Sequence, residues 1–122
     1  DAAGKTEAST VLEKEDTIAI YGSNEFAAKA IINANGGFKE SKLGADKILA
    51  VGFDSGALQQ DAIRKGIFVG SVTQDPVQIG YQAVKLAIAA AKGETVKDVD
   101  TGSKWYDAKN IDSEEIKALL YE

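Results

Sequence analysis

Cysteine, histidine and methionine are all absent from this chain of 122 residues, and proline occurs once. Without cysteine or histidine the sequence cannot build a Ser-His-Asp triad, a cysteine nucleophile, a His or Cys zinc site, or a haem or iron–sulfur ligand set. Most familiar catalytic chemistry is thereby excluded. No apolar run approaches the roughly 18 residues that suggest a membrane span. A basic region followed by an apolar stretch, the pattern of an export signal, is also missing from the N-terminus. The sequence opens on Asp1 rather than methionine, so a processed chain or a piece of a longer protein is expected. Basic residues are outnumbered, 14 against 19 acidic ones, for a formal charge of -5. That is the wrong sign for phosphate neutralisation, and no nucleic-acid partner is expected.

What is present, 44% hydrophobic and 27% charged residues, fits one compact soluble domain with a single core. Residues 2–13 are alanine-rich, with apolar positions at Ala8, Val11 and Leu12, and read as the end of a helix. Residues 17–21 (TIAIY) are β-branched and aromatic, break at Gly22-Ser23-Asn24, and give way to an Ala/Ile helical pattern over 25–34 that Asn35-Gly36-Gly37 closes. Residues 48–53 (ILAVGF) have the near-continuous hydrophobicity of a strand covered on both faces. Asp54 or Ser55 is positioned to cap the next helix, which carries Leu58, Ala62 and Ile63 and stops at Gly66. Residues 67–72 read as a third strand, Thr73-Gln74-Asp75-Pro76 opens a long helix that runs to Lys92, and residues 96–99 read as a possible strand. Trp105-Tyr106 are expected to anchor the tail. Asp112 begins a last helix, with Glu115 completing an acidic capping box and Ile111 and Ile116 spaced as a hydrophobic staple. Three successive strand-turn-helix units imply an α/β fold, a three-layer open parallel sheet flanked by helices.

In such a sheet a ligand meets the polar residues at the carboxyl ends of the strands. Here those ends carry Ser23-Asn24, Phe53-Asp54 and Thr73-Gln74. The set contains two amides and a carboxylate beside an aromatic ring, with no histidine or cysteine and no phosphate cradle. It suits a polyol: hydroxyls both donate and accept, amides serve either side, and a carboxylate accepts hydroxyl protons in charge-assisted bonds. Each residue also has an ordinary structural role open to it. Asn24 and Asp54 can be helix caps, Gln74 a turn residue and Phe53 part of the core.

The stretches IYGSNEFAAKAI, ILAVGFDSGALQQDAIRKG and SVTQDPVQIGYQAVKLAIAAAKG resemble, in this order and spacing, the C-terminal half of type I periplasmic sugar-binding proteins of the ribose- and galactose-binding group. The resemblance implies ligand-binding roles for Asn24, for the Phe53-Asp54 pair and for Gln74. It also implies a two-lobed protein, not an enzyme and with no catalytic residue, metal or cofactor, that traps a monosaccharide by hinge closure, outside the cytoplasmic membrane, and delivers it to the membrane subunits of an ABC importer. On that pattern residues 1–74 belong to the C-terminal lobe, 75–104 supply a helix and strand that pack on an N-terminal lobe absent from this sequence, supplied by a companion fragment or by the N-terminal half of the same gene product, and 105–122 return toward the C-terminal lobe. Removing the N-terminal lobe would expose the apolar positions Val77, Ile79, Val84, Leu86 and Ile88.

Two rivals share the sheet. The effector-binding domain of a lactose-repressor-like transcription regulator has the same fold and strand-end ligand set, but usually an L-T-T-V-like strand where this chain has IFVGSVTQDP. An enzyme on a flavodoxin-like sheet would use Asp54 as a base. A calcium loop at Asp98-Val99-Asp100 is disfavoured, because its twelfth position is Lys109 where a bidentate glutamate is needed.

Overall fold

The computed structural model describes residues 2–121; Asp1 and Glu122, the outermost positions of the expected segments, lie outside the described residues. Helix α1 (Ala2–Leu12) is followed by strand β1 (Ala19–Tyr21), helix α2 (Glu25–Ala34), strand β2 (Leu49–Phe53), helix α3 (Ala57–Arg64), strand β3 (Gly70–Gln74), helix α4 (Pro76–Ala91), strand β4 (Ser103–Tyr106) and helix α5 (Glu114–Lys117). The strands form one sheet in the order β1-β2-β3-β4. The first three are parallel, as the alternating units require, and β4 joins β3 antiparallel.

Helices α2 and α3 cover one face of this sheet. Ala50 and Gly52 of β2 and Ser71 and Thr73 of β3 are buried on that side. At Gly52 an added Cβ would stand 3.0 Å from the Gln59 amide of α3, and at Gly22 it would strike the backbone of Ala28. The core joins Ala28, Ile31 and Ile32 of α2 to Ala62 and Ile63 of α3, with Leu43, Ile67, Phe68, Tyr106, Ile111 and Ile116. Helix α1 adds Ala8 and Leu12 and crosses α2 closely at Gly4, where a Cβ would lie 3.2 Å from the Phe26 ring. On the opposite face Gly70 makes room for the Trp105 ring, while Tyr21 and Leu49 remain 57% and 40% exposed.

Several boundaries differ from the sequence reading, each for a local reason. Strand β1 starts at Ala19 because Thr17 turns back to close α1, its hydroxyl donating to the Val11 carbonyl at 2.8 Å. Strand β3 starts at Gly70 rather than residue 67: Ile67 and Phe68 fill the core from a turn after Gly66, both N–H groups donating to the Ala62 carbonyl. It runs on through Thr73 and Gln74, residues expected to begin the next helix. Neither Asp54 nor Ser55 caps α3, whose N-cap is Gly56 with no side-chain bond. Both side chains have other partners, described below.

Helix α4 follows the reading, with Asp75 accepting from the Gln78 N–H at 2.9 Å and Pro76 in the first turn. Residues 96–99 are not a strand. Val96 and Val99 are exposed, and pairing resumes only at Ser103, after Asp100 accepts the Gly102 N–H and Gly102 turns the chain at φ 75°. At α5 the cap is Ser113, not Asp112. Asp112 instead pairs with Arg64 and Lys117, and Glu115 with Lys104, so no capping box forms, although Ile111 and Ile116 are both buried.

Candidate functional site

The carboxyl ends of β1, β2 and β3 lie side by side because Tyr21 pairs with Val51 and Phe53 with Val72. Asn24 caps α2, its Oδ1 accepting from the Ala27 N–H at 2.8 Å. Asp54 reaches the same helix end from the next strand, Oδ2 accepting from the Glu25 N–H at 3.0 Å. Two strand-end side chains thus converge where unpaired N–H groups and the helix dipole favour negative charge. Among the described residues no hydrogen bond engages Oδ1 of Asp54, which is left as an acceptor at this edge.

The Asp54 backbone is unusual. Its φ of 74° lies in the left-handed region, which costs a non-glycine residue on the order of 1–2 kcal/mol. Its neighbours hold it there. The Asp54 N–H donates to the Val72 carbonyl at 2.7 Å, and the Asp54 carbonyl accepts from Tyr106 OH at 2.8 Å, Ser71 Oγ at 2.9 Å and Gln59 Nε2 at 3.3 Å. Burial pushes the Tyr106 hydroxyl up to about 12, against a smaller opposing effect of Ser71, so it is a protonated donor near neutrality.

A second set of contacts ties the chain's end to this edge. Tyr121 donates its hydroxyl to Glu25 Oε2 at 3.1 Å and receives the Gln60 amide on its carbonyl at 2.9 Å. The Leu119 carbonyl accepts from Ser55 and Thr73, whose hydroxyls are themselves 3.0 Å apart. Glu25 is ion-paired with Lys29. That contact, helped by Tyr121 and opposed by burial, holds its carboxyl below the usual range. Gly56 lies directly beneath this carboxylate, and a Cβ there would push the Glu25 side chain aside. Burial also pushes the Tyr121 hydroxyl up to about 12.

Of the four residues singled out in the sequence, the structure brings Asn24 and Asp54 together at one helix end. Phe53 sits beside them, half-buried, its carbonyl taking the Gln59 amide at 2.8 Å. Gln74 is half-buried two residues past the last β2–β3 pair; among the described residues no hydrogen bond engages its side-chain amide. A groove of about 240 Å³ between α1, β1 and α2 and a hollow of about 270 Å³ lined by Asp75, Ser103 and Leu119 include none of the four. The strand-end set is therefore an open wall rather than an enclosed pocket. Tyr106, with Trp105, stood out in the sequence only as a tail anchor, and Ser71, Gln59, Glu25 and Tyr121 carried no local signal at all. Among the described residues no group of three or more carboxylates is placed to hold a metal ion.

Solved structures resemble this arrangement along almost its whole length. An ABC transporter, LacI family transcriptional regulator from Brachyspira murdochii is 46% identical, with a TM-score of 0.84 over 99% of this chain and 40% of its own. An ABC transporter solute-binding protein from Agrobacterium vitis, solved with bound D-fucose, is 29% identical, with a TM-score of 0.83 over 98% of this chain and 41% of its own. A carbohydrate transporter solute-binding protein from Agrobacterium radiobacter, in complex with D-arabinose, is also 29% identical, with a TM-score of 0.81 over 97% of this chain and 39% of its own. The chain thus spans about 40% of the length of the solved structures it matches. No curated protein matches it. The open α/β sheet, the shared fold and the match of residues 1–95 to the periplasmic binding protein domain together establish that this chain belongs to the periplasmic binding protein family.

Proposed function

We propose that this chain is the C-terminal part of an extracytoplasmic solute receptor of an ABC importer, which binds a monosaccharide between two lobes without transforming it. The observation that carries this reading is the convergence of Asn24 and Asp54 at one helix end, on an open wall formed by the carboxyl ends of the strands. An open wall binds a small polyol well only when a facing wall completes the enclosure. Asp54 Oδ1, Asn24 and Gln74 would bond sugar hydroxyls, and Phe53 would pack on the C–H face of the ring. Two relatives solved with D-fucose and D-arabinose support a sugar over other small solutes.

On this reading residues 1–74 belong to the second lobe, 75–104 pack on a first lobe carried elsewhere in the longer protein, and 105–122 return to the second. Helix α4 supports the division, since none of its residues is buried and Val77, Tyr81 and Val84 are 70%, 59% and 61% exposed. Hinge closure around the sugar would present one shape to the importer's membrane subunits.

The test is a thermal-shift panel of monosaccharides, D-fucose and D-arabinose included, on the two-lobed protein, followed by calorimetry on Asp54→Ala. Stabilisation by at least one sugar is expected, with a loss of about 1.5–3 kcal/mol in the variant, because a charged acceptor is removed. No stabilisation by any sugar would sink the reading.

A second reading, the effector-binding domain of a lactose-repressor-like regulator, is favoured by the regulator name of the 46% identical relative. It requires a DNA-binding segment in the longer protein. Sequence-specific retardation of operator DNA that sugar relieves would select it over the importer.

A further inference from the structure

We propose that Tyr106 is a positioning residue for the Asp54 carboxylate: with Ser71 and Gln59 it clamps the Asp54 backbone in the left-handed conformation that presents the carboxylate at the strand-end edge. The proposal rests on the sugar-binding reading above and adds a specific device to it. Three buried donors from three elements, Tyr106 on β4, Ser71 on β3 and Gln59 on α3, converge on the carbonyl of one strained residue. Ser71 and Tyr106 are direct partners across the β3–β4 ladder, so the antiparallel register itself delivers both hydroxyls to the same oxygen.

Packing alone does not call for this arrangement. A phenylalanine at position 106 would fill nearly the same volume, whereas a buried tyrosine hydroxyl needs a partner, and the partner found here is the carbonyl of the left-handed residue. The Gln59 amide points its Nε2 at the Phe53 and Asp54 carbonyls even though its buried Oε1 has no hydrogen-bond partner among the described residues. The reverse orientation would set an oxygen against two carbonyl oxygens. On its other side Asp54 is fixed through its carboxylate by the Glu25 N–H. Backbone and carboxylate are thus pinned from opposite directions. A side chain preorganised in this way loses little freedom when a ligand arrives.

The test is a double-mutant cycle in the two-lobed protein, read by calorimetry with the tightest-binding monosaccharide of the panel above. Tyr106→Phe should weaken binding roughly 3- to 10-fold, the range for one hydrogen bond, while having no further effect in an Asp54→Ala background. A merely structural role would give the same loss in both backgrounds and overturns the proposal. Wild-type affinity in Tyr106→Phe, alongside weakened binding in Asp54→Ala, overturns the proposal and leaves the sugar-site reading standing. Unchanged affinity in Asp54→Ala removes Asp54 from the site and the proposal with it. Should Tyr106→Phe fail to fold, Ser71→Ala enters the same cycle with the same expected pattern and a smaller loss.

Discussion

Helices α2 and α4 begin alike and end in opposite surroundings. Each leaves the carboxyl end of a parallel strand, and each is capped by a side-chain oxygen, from Asn24 and Asp75 respectively. Helix α2 then buries Ala28, Ala30, Ile31 and Ile32 against the sheet, α3 and α1, whereas α4, with an equally apolar sequence, has no fully buried residue. Burying a single valine or isoleucine side chain stabilises by about 1.5–3 kcal/mol, so the unburied positions of α4 forgo several times that amount. The other described residues therefore leave the apolar face of α4 uncovered.

The largest effect that would break or sharpen this contrast is in the core. Ile63→Ala, at a fully buried position, should destabilise the chain by about 2–5 kcal/mol in urea denaturation, while Val84→Ala should change it by less than about 0.5 kcal/mol. If the two losses were equal, α4 would be part of the same packed unit. In the two-lobed protein the contrast should shrink, with Val84→Asp becoming costly there and remaining mild in the chain alone.

Alkaline pH should act next, and only on the packed region. The Tyr106 and Tyr121 hydroxyls titrate at about 12 in the fold against 10.0 when free. Between those values the folded state holds more protons than the unfolded one, so stability is complete below pH 10 and falls as pH rises toward 12. For the fully buried Tyr106 this amounts to roughly 3 kcal/mol. A melting temperature that stays flat across this window in the wild type would contradict the burial of both hydroxyls, and Tyr106→Phe should flatten part of the slope.

The two caps should then separate. Asn24→Ala is expected to lower global stability by about 1 kcal/mol, whereas Asp75→Ala should leave the global value unchanged and raise amide exchange only in the first turn of α4. Acid should have the smallest effect. The carboxyls of Glu25, held down by Lys29, and Asp107, held down chiefly by the Lys109 backbone N–H, titrate below their free values. Their contribution is present above the free carboxylate range and is lost as pH falls through their folded values, so mild destabilisation should begin only below about pH 4.5. Glu25→Gln should remove part of that slope.

How far the sequence could be read follows from the range of the interactions involved. Helix α2 was legible at both ends because its signals are local: Asn24 caps it, and Gly36 and Gly37 take φ values of 74° and 72° just past its end. Strand β3 was misplaced because Ile67 and Phe68 have strand-like residue types but serve the core from a turn. Residues 96–99 have a strand's composition without a neighbour to pair with among the described residues. The α5 cap lies one residue on from the expected one because Asp112 and Ser113 are equally competent by residue type, and the Asp112 carboxylate pairs instead with Arg64, 48 residues away. The four strand-end residues could be named because fold topology places them. The contacts that hold them could not: the Tyr106–Asp54 bond spans 52 residues and the Tyr121–Glu25 bond 96, and no local pattern encodes either.

Calorimetric titration of one monosaccharide into the 122-residue chain and into the two-lobed protein, side by side, tests the central claim most directly. Saturable binding by the two-lobed protein, with no measurable heat from the chain alone at millimolar sugar, is the predicted result. Equal affinity in both would contradict it, because the strand-end wall would then be a complete site and the bare face of α4 would need another explanation.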